Sequence, residues 1–216
     1  MKTRLNAAIL ALLDSIALEA EELNRLDGVA GDGDLGVTMG IAGRAIREEL
    51  AANEQADMPA LLTLLGKTTA RKAPSTGGTL LAGALMRAAR TAKQPNVSYS
   101  MLLSSGADAI MELGDARVGE KTMLDALAPA LDAARKAEDT GAGPAAIARA
   151  AGDAARAGAE ATSTLTARHG RAGWLAERSQ GSPDAGAWLV SVILLAIAEI
   201  VSDPAGGLEL TEEKVP

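Results

Sequence analysis

The chain has 216 residues, no cysteine, no phenylalanine, 1% aromatic residues and a net charge of −7. Without cysteine there are no disulfides, thiolate metal sites or cysteine nucleophiles, and an acidic chain with no basic run lacks the positive face that nucleic acid demands. The 48% apolar fraction, supplied mainly by alanine and leucine, favours closely packed helices over a sheet sandwich, with a core large enough for one domain.

Leu5, Ile9, Leu12, Ile16, Ala20 and Leu23 recur at helical spacing and predict a first helix ending near Arg25. Next comes Leu26-Asp27-Gly28-Val29-Ala30-Gly31-Asp32-Gly33-Asp34-Leu35-Gly36. Its glycines let the backbone turn back, so that Asp27, Asp32 and Asp34 can converge. Convergent carboxylates repel unless a cation lies among them, and hard oxygen donors on a short loop suit Mg²⁺ or Ca²⁺. A solvated acidic loop is the plainer alternative. An EF-hand fails on spacing: counting from Asp32 puts Gly43 where the bidentate glutamate belongs, and counting from Asp27 puts Val29 at the third ligand position.

A second helix is expected over about 36–52. Asp57 is an N-cap candidate for a third, with Pro59 in its first turn and a stop before Pro74. The small-residue run Pro74-Ser75-Thr76-Gly77-Gly78-Thr79 feeds the apolar start of a fourth helix. Such a loop offers free N–H groups and a positive dipole end to an anion, with an ordinary capped turn as the alternative. It lacks the Gly-Lys-Ser/Thr ending of a Walker A loop.

A fifth helix is expected from about Ser98 to Leu113, followed by the polar loop 114–122 containing Lys121, and a sixth over 123–138 with Pro129 as a kink candidate. Pro144 to about Arg168 reads as an alanine-rich seventh helix. The loop from His169 to Pro183 carries Arg171, Trp174, Leu175 and Arg178. His169, with no carboxylate orienter in view, reads as a surface histidine. Asp184 then caps an eighth helix, apolar nearly all round and so expected at the centre. Its apolar stretch, Ala185 to Ala198, is broken by Ser191 and is shorter than the ~20 residues of a membrane span. No cationic-then-apolar signal opens the chain. A cytoplasmic protein with no membrane association is therefore expected.

The sum is an all-α fold: one domain over 1–216, eight helices in an antiparallel up-and-down bundle, and a loosely held tail over 203–216. In such a bundle alternate connections share an end. The acidic, glycine-rich, glycine/lysine and arginine-rich loops, after helices one, three, five and seven, should therefore meet. A carboxylate cage, a helix N-terminus and the cations Lys121, Arg171 and Arg178 together form the kit for phosphoryl transfer, with Met123 and Leu175 as apolar walls for a base.

Three stretches carry a resemblance: Asp27…Gly31-Asp32-Gly33-Asp34…Gly36, Gly119-Glu120-Lys121-Thr122-Met123-Leu124-Asp125-Ala126-Leu127, and Arg171-Ala172…Leu175…Glu177-Arg178-Ser179…Asp184-Ala185-Gly186-Ala187. In order and spacing they are similar to the nucleotide-binding L subunit of bacterial dihydroxyacetone kinase and the equivalent C-terminal domain of ATP-dependent enzymes. The resemblance implies an eight-helix antiparallel barrel binding ADP or ATP with two Mg²⁺. It implies Asp27, Asp32 and Asp34 as magnesium ligands and, with Arg171, as catalytic residues. It implies nucleotide contacts at Leu35, Gly36, Val37 and Thr38, at Thr76, Gly77 and Gly78, and at Gly114, Met123, Arg171, Asp184, Ala185 and Gly186. It also implies a partner K subunit holding dihydroxyacetone or a similar small ketose, and in some systems a phosphotransferase-system protein that recharges bound ADP. Leu35 stands where that family usually has histidine, Thr38 where asparagine is common, and Ser75-Thr76-Gly77-Gly78 in place of a Gly-Gly-Ala-Ser-Gly-like loop. Leu35 motivates the alternative of a non-catalytic nucleotide-binding regulatory module.

Overall fold

A computed structural model describes residues 4–52, 57–169, 173 and 179–203. Its helices are α1 (Arg4–Leu18), α2 (Ala20–Asp27), α3 (Leu35–Ala52), α4 (Met58–Lys72), α5 (Thr76–Thr91), α6 (Tyr99–Gly114), α7 (Leu124–Asp139), α8 (Pro144–Ala161) and α9 (Ala185–Ser202), with a 3₁₀ turn at Thr162–Thr164. No strand occurs among the described residues. Successive helices from α3 to α8 pack side by side. α9 then packs on α8 and on α1, while α1 and α2 pack on α3, so the single all-α domain closes into a ring.

Two predicted helices end differently. The first is interrupted at Glu19, giving α1 and α2. At this break Gly36 comes so close to Ala20 that a Cβ on Gly36 would run into the Ala20 carbonyl. The Glu19 carboxylate is tied to Trp188 Nε1 at 3.1 Å, and Arg156 stacks over the same indole at 3.9 Å. The seventh predicted helix stops at Ala161 rather than Arg168. There Thr162, Ser163 and Thr164 donate their hydroxyls to the carbonyls of Ala159, Glu160 and Ala161. Side chains that bond to nearby backbone compete with helix continuation, and Leu165 is extended. The other starts follow local chemistry. Asp57 accepts from Ala60 N at 2.8 Å ahead of Pro59, and Ser75 accepts from Gly78 N at 3.1 Å, which starts α5 at Thr76.

The core is alanine-rich and divided. One cluster joins α6, α7, α8 and α9, one joins α2, α3 and α9, and one joins α1, α3 and α4. α9 contributes to the first two, so it bridges clusters within the ring. Its nearly all-round apolarity comes from that double duty. By length and composition α9 could cross a membrane, but nine of its residues are buried against the bundle.

Between α7 and α8, Ala126, Ala130 and Ala134 pack in the same core cluster as Ala151, Ala155 and Ala159. Gly158 sits in the same seam, where a Cβ would collide with the Asp125 carbonyl and lie 2.7 Å from Pro129 Cγ. Backbone cannot move aside as a side chain can, so a larger residue must push the helices apart. Gly158→Val is expected to destabilise the protein by about 1–3 kcal/mol, read as a lower midpoint in denaturant unfolding. An unchanged midpoint would mean that the two helices separate without cost.

Candidate functional site

Asp27 ends α2, and the chain returns over residues 28–34 to start α3 at Leu35. Gly31 N–H bonds to the Asp27 carbonyl at 2.6 Å, Gly33 takes φ +73°, and Asp34 N–H donates to Asp27 Oδ2 at 3.0 Å. A Cβ on Gly31 would press on the Asp27 carboxylate. This turn gathers Asp27, Asp32 and Asp34, with one carboxylate oxygen from each within 4.8 Å of the others. Such an all-oxygen donor set fits a hard divalent cation, with room for further oxygen ligands from a bound anion.

The carboxylates line a cavity of about 660 Å³. Its walls come from four connections: 26–34 ahead of α3, 74–77 ahead of α5, 121–123 ahead of α7, and the segment ahead of α9, including His169 and 179–184. The alternation of the bundle thus brings the N-termini of α3, α5 and α9 to one place.

Each N-terminus is organised differently. Asn24 Oδ1 accepts from Gly36 N at 2.7 Å and from Val37 N at 3.2 Å, so those two N–H groups are already engaged. At α5, Gly78 N bonds to Ser75 Oγ and Thr79 N to the Ser75 carbonyl. The unengaged first-turn donors there are the N–H groups of Thr76 and Gly77. At α9, Asp184 Oδ2 accepts from Ala187 N at 2.7 Å, while Asp184 N donates to Thr162 Oγ1 at 2.7 Å.

Of the residues expected to contact nucleotide, Leu35, Thr38, Thr76, Gly77, Met123, Asp184, Ala185 and Gly186 line this cavity. Gly36, Val37, Gly78 and Gly114 do not. Gly78 is packed against the Ala73 carbonyl, and Gly114 against the Leu80 side chain. Arg171, Trp174, Leu175 and Arg178 lie outside the described residues. Met123 lies between two helix starts: a Cβ on Gly77 would sit 3.6 Å from its Cε, and one on Gly186 2.9 Å from its Cγ.

Lys121 differs from its expected role. It adopts φ +62°, is 6% exposed, and donates through Nζ to the carbonyls of Thr162 and Ser182, both at 2.6 Å. The ammonium is a clasp between loops rather than a loose counter-charge. Burial lowers its pKa, opposed by Asp184 and Asp125. Asp184 keeps some exposed surface, yet its carboxyl lies deep among protein atoms. Burial pushes its pKa up to about 6, against the opposing pull of the Ala187 N–H and of Lys121.

Three organising side chains escaped sequence reasoning. Asn24 had a local signal, a cap-type residue next to an expected helix end. Asp125 had one too, since Thr122-Met123-Leu124-Asp125 has capping-box spacing. Asp125 accepts from Thr122 N at 2.7 Å and from Gly119 N at 2.5 Å, and so shapes the 115–123 loop. The third is Glu120, whose Oε2 lies 2.5 Å from His169 Nε2. That corrects the reading of His169 as a histidine without a carboxylate partner, and no local pattern announces a partner 49 residues away.

Comparison with known proteins agrees with this architecture. The model of the DAK2 domain matches residues 29–199. The chain belongs to the DAK2 domain family. It is 38% identical over 199 residues to L-erythrulose 1-kinase of Mycolicibacterium smegmatis, covering 89% of this chain and 34% of that protein. It is 31% identical over 190 residues to the ADP-binding subunit DhaL of the PEP-dependent dihydroxyacetone kinase of Escherichia coli, covering 86% of this chain and 90% of that subunit. The dihydroxyacetone kinase of C. freundii, solved in complex with AMP-PNP and Mg²⁺, superposes with a TM-score of 0.74 at 26% identity, over 92% of this chain and 34% of that one. The DAK2 domain described here thus spans about a third of the erythrulose kinase and nearly all of the ADP-binding subunit.

For the buried acid the sign of the pH effect is fixed. Asp184 has a folded pKa above its unfolded value of about 3.9, so folding takes up a proton between about pH 4 and 6. Its contribution favours the fold below that window and opposes it above pH 6, where the buried carboxylate is charged. The Asp184 carboxyl followed by carbon-detected NMR is expected to titrate near 6. A midpoint in the ordinary aspartate range would mean that its burial or its neighbours are misassigned.

Proposed function

We propose that this DAK2 domain binds ADP or ATP with two Mg²⁺ and passes a phosphoryl group to dihydroxyacetone or a similar small ketose held by a partner K subunit. The observation that carries the reading is one cavity holding three carboxylates within 4.8 Å and the N-termini of three helices. Few anions other than a polyphosphate use both features at once: the cation joins carboxylate to phosphate, and helix N-termini complement the remaining phosphate charge. The names of the relatives add the acceptor class, since they are kinases of erythrulose and dihydroxyacetone.

In this reading Asp27, Asp32 and Asp34 hold Mg²⁺, which when bound neutralises phosphate oxygens and aligns the group to be transferred. Thr76 and Gly77 donate their free N–H groups to the phosphates, and Thr38 lies beside them. Gly36 and Val37, already bonded to Asn24, act through the α3 dipole. Leu35, Met123, Gly77 and the turn Asp184-Ala185-Gly186 form the wall for the base and sugar, and Arg171 supplies charge to the transferring group. The phosphoryl donor is either exchanging ATP or a phosphotransferase-system protein that recharges retained ADP.

A second reading keeps binding and drops transfer. Leu35, where the family usually has histidine, packs among Leu23, Leu26 and Met39 rather than offering a polar group to the cavity. Calorimetric titration of ADP and ATP, with and without Mg²⁺, tests the binding step common to both. Tight binding that requires Mg²⁺ is expected. Asp32→Lys is expected to lower affinity at least about a hundredfold while circular dichroism stays unchanged, because the exchange at this exposed position removes a metal ligand and sets a positive charge against the cation. Retained affinity would refute the cage. Intact binding without transfer to any small ketose in the presence of a K subunit would favour the regulatory module.

A further inference from the structure

His169 is the chain's single histidine, and it lines the same cavity as the three carboxylates. Its Nε2 meets Glu120 Oε2 at 2.5 Å. Glu120 is itself fixed: Oε2 accepts from Arg117 N at 2.8 Å, Oε1 lies 3.9 Å from Arg168 Nη1, and the Glu120 carbonyl accepts from Arg168 N. The hydrogen bond from His169, with that from Arg117, keeps the Glu120 carboxyl below the usual range. A carboxylate held in this way accepts, so the ring nitrogen facing it must donate. That fixes the tautomer: any change at the ring occurs at Nδ1, which makes no hydrogen bond among the described residues.

The charge around the cavity gives Nδ1 a task. Four carboxylates line it, Asp27, Asp32, Asp34 and Asp184. The cationic side chains lining it among the described residues are Lys72 and Lys121, besides His169. Lys121 already donates to two carbonyls. Of the described lining residues, Lys72 and His169 are thus the basic side chains left to meet a polyphosphate, beside the Arg171 of the proposed site. An imidazole whose far side is already braced by a carboxylate becomes a donor on its near side by taking one proton from solvent, and an arriving phosphate favours that protonation.

Resting on the nucleotide reading above, we propose that His169, oriented by Glu120, is a phosphate-binding residue of this site. Its Nδ1 gains a proton when Mg-ADP binds and donates that hydrogen to a phosphate oxygen. No covalent bond forms or breaks. Glu120 is a positioning residue, because it acts through the ring and not on the ligand.

One histidine gives one set of imidazole signals, so the parent protein can be tested without assignment or substitution. Titration of ¹⁵N-labelled full-length chain with Mg²⁺ and ADP is expected to move the Nδ1 resonance to its protonated position, whereas adenosine leaves it in place. His169→Ala is expected to bind ADP about tenfold more weakly, as for loss of one charge-assisted hydrogen bond, with adenosine binding unchanged. His169→Arg should recover most of the loss, and Glu120→Gln should weaken ADP binding by a smaller factor. If calorimetry shows ADP binding while the ring signals stay fixed, or if His169→Ala keeps the parent affinity, the assignment is overturned and the nucleotide site stands. If the parent protein binds no ADP at all, the nucleotide reading itself falls and takes this assignment with it.

Discussion

Three like charges gathered by one short turn set the terms for everything around them. At 4.8 Å two carboxylates repel by about 1 kcal/mol in water and by about 3 kcal/mol at an effective dielectric of ~20. The turn between α2 and α3 holds them together through geometry that none of them supplies alone. Asp34 N–H is donated to the Asp27 carboxylate, Gly33 takes a left-handed φ, and Gly31 is kept free of any Cβ that would press on Asp27. Asn24 then caps α3, which fixes the direction in which the helix dipole meets the carboxylates. The arrangement is poised for a cation in the way a compressed joint is poised for a pin.

The rest of the fold serves to bring other groups to that point. Small residues along α7 and α8 let those helices approach closely, and the ring closes through α9 on α1. Closure puts the starts of α5, α7 and α9 beside the acidic turn. A second layer of polar contacts then laces those starts together. Lys121 ties the loop before α7 to Thr162 and Ser182, Asp125 shapes that same loop, and Thr162 receives the Asp184 N–H. Gly181 N–H to the Ser163 carbonyl and Ala167 N–H to Ser179 Oγ join the two sides of the connection between α8 and α9. Buried polar groups of this kind are costly unless fully paired, so their pairing fixes one loop arrangement among many.

What could be read in the sequence was what local pattern encodes. Periodicity located the helices, capping chemistry at Asp57 and Asp184 marked two starts, and glycine spacing marked the acidic turn. The alternation of interesting and bland loops was enough to gather four of them at one end. Long-range partners were invisible. Nothing near Glu19 tells of the Trp188 indole that holds the helix break, and nothing near His169 tells of Glu120. By sequence Lys121 is one of the cations of a phosphoryl-transfer site, because it stands in a polar, glycine-flanked loop. Only the fold reveals two carbonyls converging on it from different segments. The Thr162-Ser163-Thr164 stop was local, but it lay inside an alanine-rich run whose helix propensity dominated the reading.

No Trp, Tyr or Phe lines the cavity among the described residues, so in the proposed nucleotide site a flat base would need another kind of wall, and the positions of the glycines offer one. Met123 lies between the first turns of α5 and α9, touching the Gly77 side and filling the space that Gly186 leaves. A thioether on an unbranched stem conforms to a planar face more readily than a branched residue does. Leu35 is directed instead into the core with Leu23 and Leu26, although it borders the same cavity. A methyl group at Gly186 would press on Met123 at 2.9 Å, whereas one at Gly77 would rest in ordinary contact with Met123 and Leu35 at 3.6 and 3.7 Å. The shape of the apolar wall is therefore set in part by what Gly186 omits, while the polar wall is set by what three aspartates cannot avoid.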